Sequence, residues 1–286
     1  MISLTQPAQG LGIGSAVGIT YVPGVSLLSH YFHRRRALAM GIAVSGSGLG
    51  GAVHSIILNK LFHGPVGFHN GVRASAGMVG GLLIIAILLM KPRLPPISRK
   101  HGSTLQDLRK FLRDPPYVIM VFGTVVVFAG LYFPIFFLQL NAIKNGISQS
   151  LAFYTLVILN ASSAVGRIVP NLLVYRIGVF NLMIPSVVIS GALVFVILAL
   201  KDTAGTIVFA ILYGFFSGAC DQNVYDDLDT QGLGGLVGTP IAGALLSKDF
   251  IWWRPSLFSA ISVLIGALCF STTRAIVARR KGTSWL

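Results

Sequence analysis

The chain has 286 residues, of which 54% are hydrophobic, only 10% are charged and 33 are glycine. That balance excludes a soluble domain of this size and describes a polytopic membrane protein. The formal charge of +14 comes from 22 Lys and Arg against 8 Asp and no Glu; it falls between apolar runs and not along a polar face, so a lipid bilayer is the expected partner and nucleic acid is not.

A helix that crosses a bilayer needs about 20 mainly apolar residues. Runs of this kind lie near 10–31, 37–60, 74–91, 115–140, 150–173, 179–200, 204–220, 232–247 and 255–273, which predicts nine spans with the seventh and eighth short. The Lys and Arg residues divide 16 to 6 over the alternate sides of these spans. The richer side is expected to be cytoplasmic, which puts the tail from Arg274 inside and Met1 outside.

The first two runs are joined by YFHRRRALAMGIAVSGSGLGG, Tyr31 to Gly51. Arg34, Arg35 and Arg36 in this short connection fix the orientation of both flanking spans. Gly41, Gly46, Gly48, Gly50 and Gly51 are expected to leave one helix face nearly without side chains, which admits the close approach of another backbone. After the third run comes a basic segment, Lys91 to Arg113, whose LQDLRKFLR end has an amphipathic pattern. Between the seventh and eighth runs, Asp221, Asp226, Asp227 and Asp229 make the connection acidic.

Three residues of the fifth run invite a chemical reading. Arg167 has apolar sequence on both sides, and an arginine at bilayer depth costs at least about 2.5 kcal/mol unless it faces a cavity or a partner. Asn160 and Ser163 precede it by seven and four positions, so all three are expected near one helix face that lines a polar cavity or joins neighbouring helices. His54, inside the second run, reads as a proton relay or as a hydrogen-bonded packing residue. The histidines lack metal-ligand spacing, Cys220 and Cys269 lie in apolar runs, and the absence of Glu leaves no carboxylate pair for acid and base work. Neither an enzyme, nor a metal, nor a cofactor is expected.

The string from Tyr31 to Gly51 resembles the signature around the fifth helix of the monocarboxylate porter family of the major facilitator superfamily. Tyr31, Phe32, Arg34, Arg35, Arg36, Leu38, Ala39, Gly41, Ala43, Gly46 and Gly50 all match it. The resemblance implies an all-α polytopic fold, in which two six-helix halves joined by a basic loop rock against each other around a central site. On this comparison residues 1–93 are a remnant of the first half with three spans, 94–114 the basic cytoplasmic loop, and 115–286 the second half. The nine spans then correspond to helices four to twelve, with the first three missing. The acidic connection departs from the family's Glu-x-Gly-x-Arg-x-Gly turn. Arg176 and Gly178 resemble the end of an Asp-Arg-x-Gly loop, with Tyr175 in place of the aspartate.

Function follows from the same resemblance. The expected activity is transport of a small organic anion such as a monocarboxylate, with or without a coupled proton, across the plasma membrane by alternating access. Arg167 matches the arginine thought to pair with the substrate carboxylate, while Ser163 stands where better-known members carry an aspartate. The rival expectation is a truncated, non-transporting remnant, in which Gly-rich faces such as those of Gly10, Gly14 and Gly18 or of Gly234 and Gly238 lack some of their partners.

Overall fold

A computed structural model describes residues 5–32, 36–93, 112–222, 228–246 and 250–282. Among the described residues there is no strand, and the helices are α1 (Thr5–Tyr31), α2 (Arg36–His63), α3 (Gly67–Leu89), α4 (Pro115–Lys144), α5 (Gln149–Ile177), α6 (Val179–Val196), α7 (Thr203–Gln222), α8 (Leu228–Leu246) and α9 (Trp253–Lys281). The all-α polytopic expectation holds. Each of the nine apolar runs falls in one helix, but seven helices, α2 to α7 and α9, are long and apolar enough to cross a bilayer. Gly18–Leu28 in α1 and Gly232–Leu246 in α8 are shorter apolar stretches.

Several helices outrun their apolar sequence. α3 begins at Gly67, ahead of Arg73, and α9 continues through Arg279, Arg280 and Lys281 before Gly282, at φ 64°, ends it in the left-handed conformation. Backbone hydrogen bonding continues into the interface, where charged side chains reach water, so helix length exceeds hydrophobic length. Arg34, Arg35, most of the basic loop and part of the acidic connection lie outside the described residues.

The chain divides into two compact units. One comprises Met1–Met40 with Leu58–Arg99, the other Gly41–Ile57 with Lys100–Leu286. In the first, the Tyr31 hydroxyl donates to the Lys91 carbonyl at 2.6 Å, and the Arg93 guanidinium lies 6.0 Å from the centre of the Tyr31 ring. Gly71 admits the Phe62 side chain, which stacks at a tilt on Phe68. Ile84, Leu88 and Leu89 of α3 are exposed, as suits a helix face solvated by lipid tails.

The second unit holds the main core. α4 packs against α8 and α9, α5 against α7, and α6 against α7 and α9. Glycine lines most of these crossings, since helices in lipid associate through tight packing and not by excluding water. Gly214 and Gly218 of α7 sit on the backbone carbonyls of Leu159 and Ser163 in α5, and Gly166 of α5 sits on that of Phe215. Gly234 and Gly238 of α8 sit on the Val125 and Ala129 carbonyls of α4. These last two glycines therefore have α4 as a partner helix.

Between the crossings, Phe128, Phe133, Leu138, Met183, Val187, Phe209, Tyr213, Val263 and Phe270 form one buried cluster. Tyr213 places its hydroxyl against the Leu131 carbonyl at 2.6 Å, so its polar end is satisfied inside that cluster. At one end of the unit, Asn141 Nδ2 donates to the Ile197 carbonyl and Asn145 Nδ2 to the Leu200 carbonyl, both at 3.1 Å. These amides tie the end of α4 to the turn that follows α6. At the other end, Arg280 pairs with Asp114 at 2.6 Å, joining the last turn of α9 to the start of α4.

Candidate functional site

The site is built on α5. Ser148 caps its first turn, its hydroxyl accepting from the Leu151 N–H at 3.4 Å. The helix carries Pro170 inside it and ends at Gly178, whose φ of 93° only glycine adopts readily and whose N–H returns to the Val174 carbonyl. The Gly178 of the Asp-Arg-x-Gly resemblance thus has a backbone role in the turn into α6, and Arg176 lies in the last turn of α5.

Arg167 lies near the middle of α5 and is half-buried. Its Nη1 donates to the Val44 carbonyl of α2 at 2.9 Å and to the Ser47 hydroxyl. Its own carbonyl accepts from Asn171 Nδ2 at 2.7 Å, and Asn171 is 1% exposed. Guanidinium, hydroxyl, backbone carbonyl and amide therefore meet where α2 and α5 cross. Polar partners of this kind offset part of the desolvation cost of an arginine set between apolar helices.

The crossing needs glycine on α2. A Cβ added to Gly41 stands 2.7 Å from the Arg167 carbonyl oxygen, and one added to Gly48 stands 2.8 Å from that of Asn160 and 3.0 Å from the Ala164 nitrogen. A Cβ on Gly51 meets the Asn160 side-chain oxygen at 3.0 Å. Gly46 and Gly50 have nothing within 4 Å. At about 100° per residue these two lie roughly 160° round the helix from Gly41 and Gly48. Of the signature glycines only Gly41 faces α5; the other close contacts belong to Gly48 and Gly51. Val44 and Ser47, on the flank of the same face, are the partners that sequence reading missed. Their signal was the two-turn spacing from Gly41 to Gly48.

The other expected residues separate. Asn160 faces α2, with its Nδ2 donating to the Leu156 carbonyl of its own helix at 2.9 Å. Ser163 is 7% exposed and lies beneath Gly218 of α7. A three-residue step turns a helix by about 300°, which carries Ser163 some 60° away from Asn160 while the seven-residue step to Arg167 almost closes two turns. The structure brings Asn160 and Arg167 together along α2 and turns Ser163 towards α7. Tyr31 and Phe32 are exposed, and Arg36 opens α2 with an exposed side chain.

A bundle of apolar helices with glycine-mediated crossings and an arginine held at one of them defines an integral, multi-pass membrane protein. The family model described as Major Facilitator Superfamily matches residues 10–226. The chain belongs to that superfamily. It is 38% identical to the MFS-type transporter dbaD of Emericella nidulans over 85% of this chain and 58% of that protein. It is 32% identical to the aspyridones efflux protein apdF of the same organism, over 91% and 56%. A third relative, the agnestins efflux protein AgnL12 of Paecilomyces divaricatus, is 34% identical over 88% and 61%. The chain thus spans less than two thirds of the length of each of these relatives.

Proposed function

We propose that the protein is a membrane transporter that exports a small organic molecule bearing an acidic group by alternating access. The superfamily supports transport, and the names of two relatives, each an efflux protein, support the outward direction. None of the three relatives is named for a monocarboxylate, so the reading names an acidic group and not lactate or pyruvate. On the same reading 1–93 belongs to the first helical half, 94–114 to the loop between halves and 115–286 to the second half. The nine helices correspond to helices four to twelve of such a fold, and the plasma membrane is where export takes effect.

One observation carries the reading: Arg167 holds its guanidinium at the α2 crossing through a carbonyl and a hydroxyl, two neutral oxygen acceptors. A carboxylate offers the same donors a charged, bidentate partner, and such hydrogen bonds are roughly twice as strong as neutral ones. When α2 and α5 part during alternating access, a substrate carboxylate replaces Val44 and Ser47. Arg167→Lys keeps the charge but loses the planar fork, so export should fall at least tenfold, on the order of 1.4 kcal/mol, while the amount in the membrane is unchanged. Undiminished export by Arg167→Lys contradicts the assignment.

A further inference from the structure

An open cavity of about 240 Å³ lies between α6 and α9, away from the crossing of α2 and α5. Phe180, Asn181, Ile184, Pro185, Ser271 and Arg274 line it. The lining is divided along the helix axes. Phe180 and Asn181 stand in the first turn of α6, whereas Ile184 and Pro185 lie one turn or more deeper, about 6–8 Å along the axis. On α9, Arg274 follows Ser271 by nearly one turn, and the basic end of that helix, Arg279 to Lys281, lies beyond. The cavity therefore has a cationic, hydrogen-bonding outer end and an apolar inner wall.

Its depth matches that layering. Arg274 stands seven residues before the end of α9, about 10 Å, and α6 opens at the same level, so the outer end sits where a helix passes from hydrocarbon to headgroups. Gly178 gives the first turn of α6 no side-chain cap, so its N–H groups add partial positive charge beside the guanidinium. Ser271 uses its proton on the Ala267 carbonyl at 2.8 Å, and Asn181 donates to the Ile177 carbonyl at 2.7 Å, which fixes both side chains in place. A cavity this small is below the usual range for enclosing a whole drug-sized ligand. It has room for a headgroup and the first carbons of a chain.

We propose that this cavity binds a phosphate ester, with the phosphate on Arg274 and an acyl chain along Ile184 and Pro185. The apolar wall favours an anionic phospholipid over free phosphate, and the proposal is independent of the transported substrate. The test is thermal unfolding of the purified protein in detergent, titrated separately with dioctanoyl phosphatidic acid, dioctanoyl phosphatidylcholine and inorganic phosphate. Phosphatidic acid should raise the midpoint, phosphatidylcholine should not, and Arg274→Gln should need about tenfold more phosphatidic acid for the same rise. Ile184→Trp fills the apolar wall without touching the arginine; measured from its own lipid-free midpoint, it should lose the response, which decides the matter if Arg274→Gln folds poorly. An Arg274-dependent response to inorganic phosphate of equal size supports the anion site with free phosphate as its source. Equal responses to phosphatidic acid in the original protein and both variants overturn the proposal.

Discussion

Arg167 Nη1 lies 2.9 Å from the Val44 carbonyl oxygen, although 123 positions separate the two residues. Val44 sits inside α2, where a backbone carbonyl already accepts from the N–H four residues on. The oxygen has a second lone pair, and the guanidinium takes it. The approach is possible only because Gly41 and Gly48, on either side of Val44, place no side chain between the helices.

The two glycine faces of α2 should respond differently to substitution. Gly48→Leu puts a side chain into the Asn160 and Ala164 backbone and should destabilise the protein by about 1–3 kcal/mol, the usual range for overpacking. Gly46→Ala meets open space and removes glycine's helix penalty, so it should be neutral or stabilising by up to about 1 kcal/mol. Thermal unfolding of the two variants in one detergent measures the contrast, and equal losses contradict the assignment of faces.

Asn141 is 4% exposed and bridges to the turn after α6. Asn141→Leu removes that bridge and leaves the Ile197 carbonyl without its amide donor, while Asn145 Nδ2 keeps the Leu200 carbonyl. Polar links between membrane helices average about 0.6 kcal/mol and reach about 1.7, so a loss near 1 kcal/mol is expected. Unfolding in a denaturing detergent titration reads it, and a gain in stability counts against a structural role for the amide pair.

Orientation follows from the basic residues. A glycosylation acceptor inserted near His69 should be modified in the secretory pathway and one near Lys100 should remain bare. The reverse pattern inverts the whole bundle, including the side on which Arg274 and Arg280 emerge.

The fold was legible because bilayer thickness demands long apolar runs, and α2 to α7 and α9 each contain one. Which glycines matter was less so. Residues 41–51 place glycine on two sides of α2, and only packing against α5 shows that Gly48 and Gly51 make the contact while Gly46 and Gly50 do not. Arg167 could be singled out from its isolation among apolar residues, but its partners Val44 and Ser47 carry no chemical signature of their own. Ser163 was grouped with it because a four-residue spacing suggests a shared face; the close approach of Gly218 claims that side of α5 for α7. The cavity at Arg274 was hidden for a related reason, since in sequence that arginine is one more charge in a basic tail.

The central claim is that Arg167 recognises an acidic group on the transported molecule. The most direct measurement compares transport of organic acids and of their neutral methyl esters into inverted membrane vesicles containing the original protein or Arg167→Gln, with both present in equal amount. The account predicts that the original protein favours the acid over its ester by tenfold or more, and that Arg167→Gln loses this preference through the acid while leaving ester transport little changed. If Arg167→Gln discriminates between acid and ester as well as the original protein does, the arginine only holds α2 to α5 and the substrate's charge is read elsewhere.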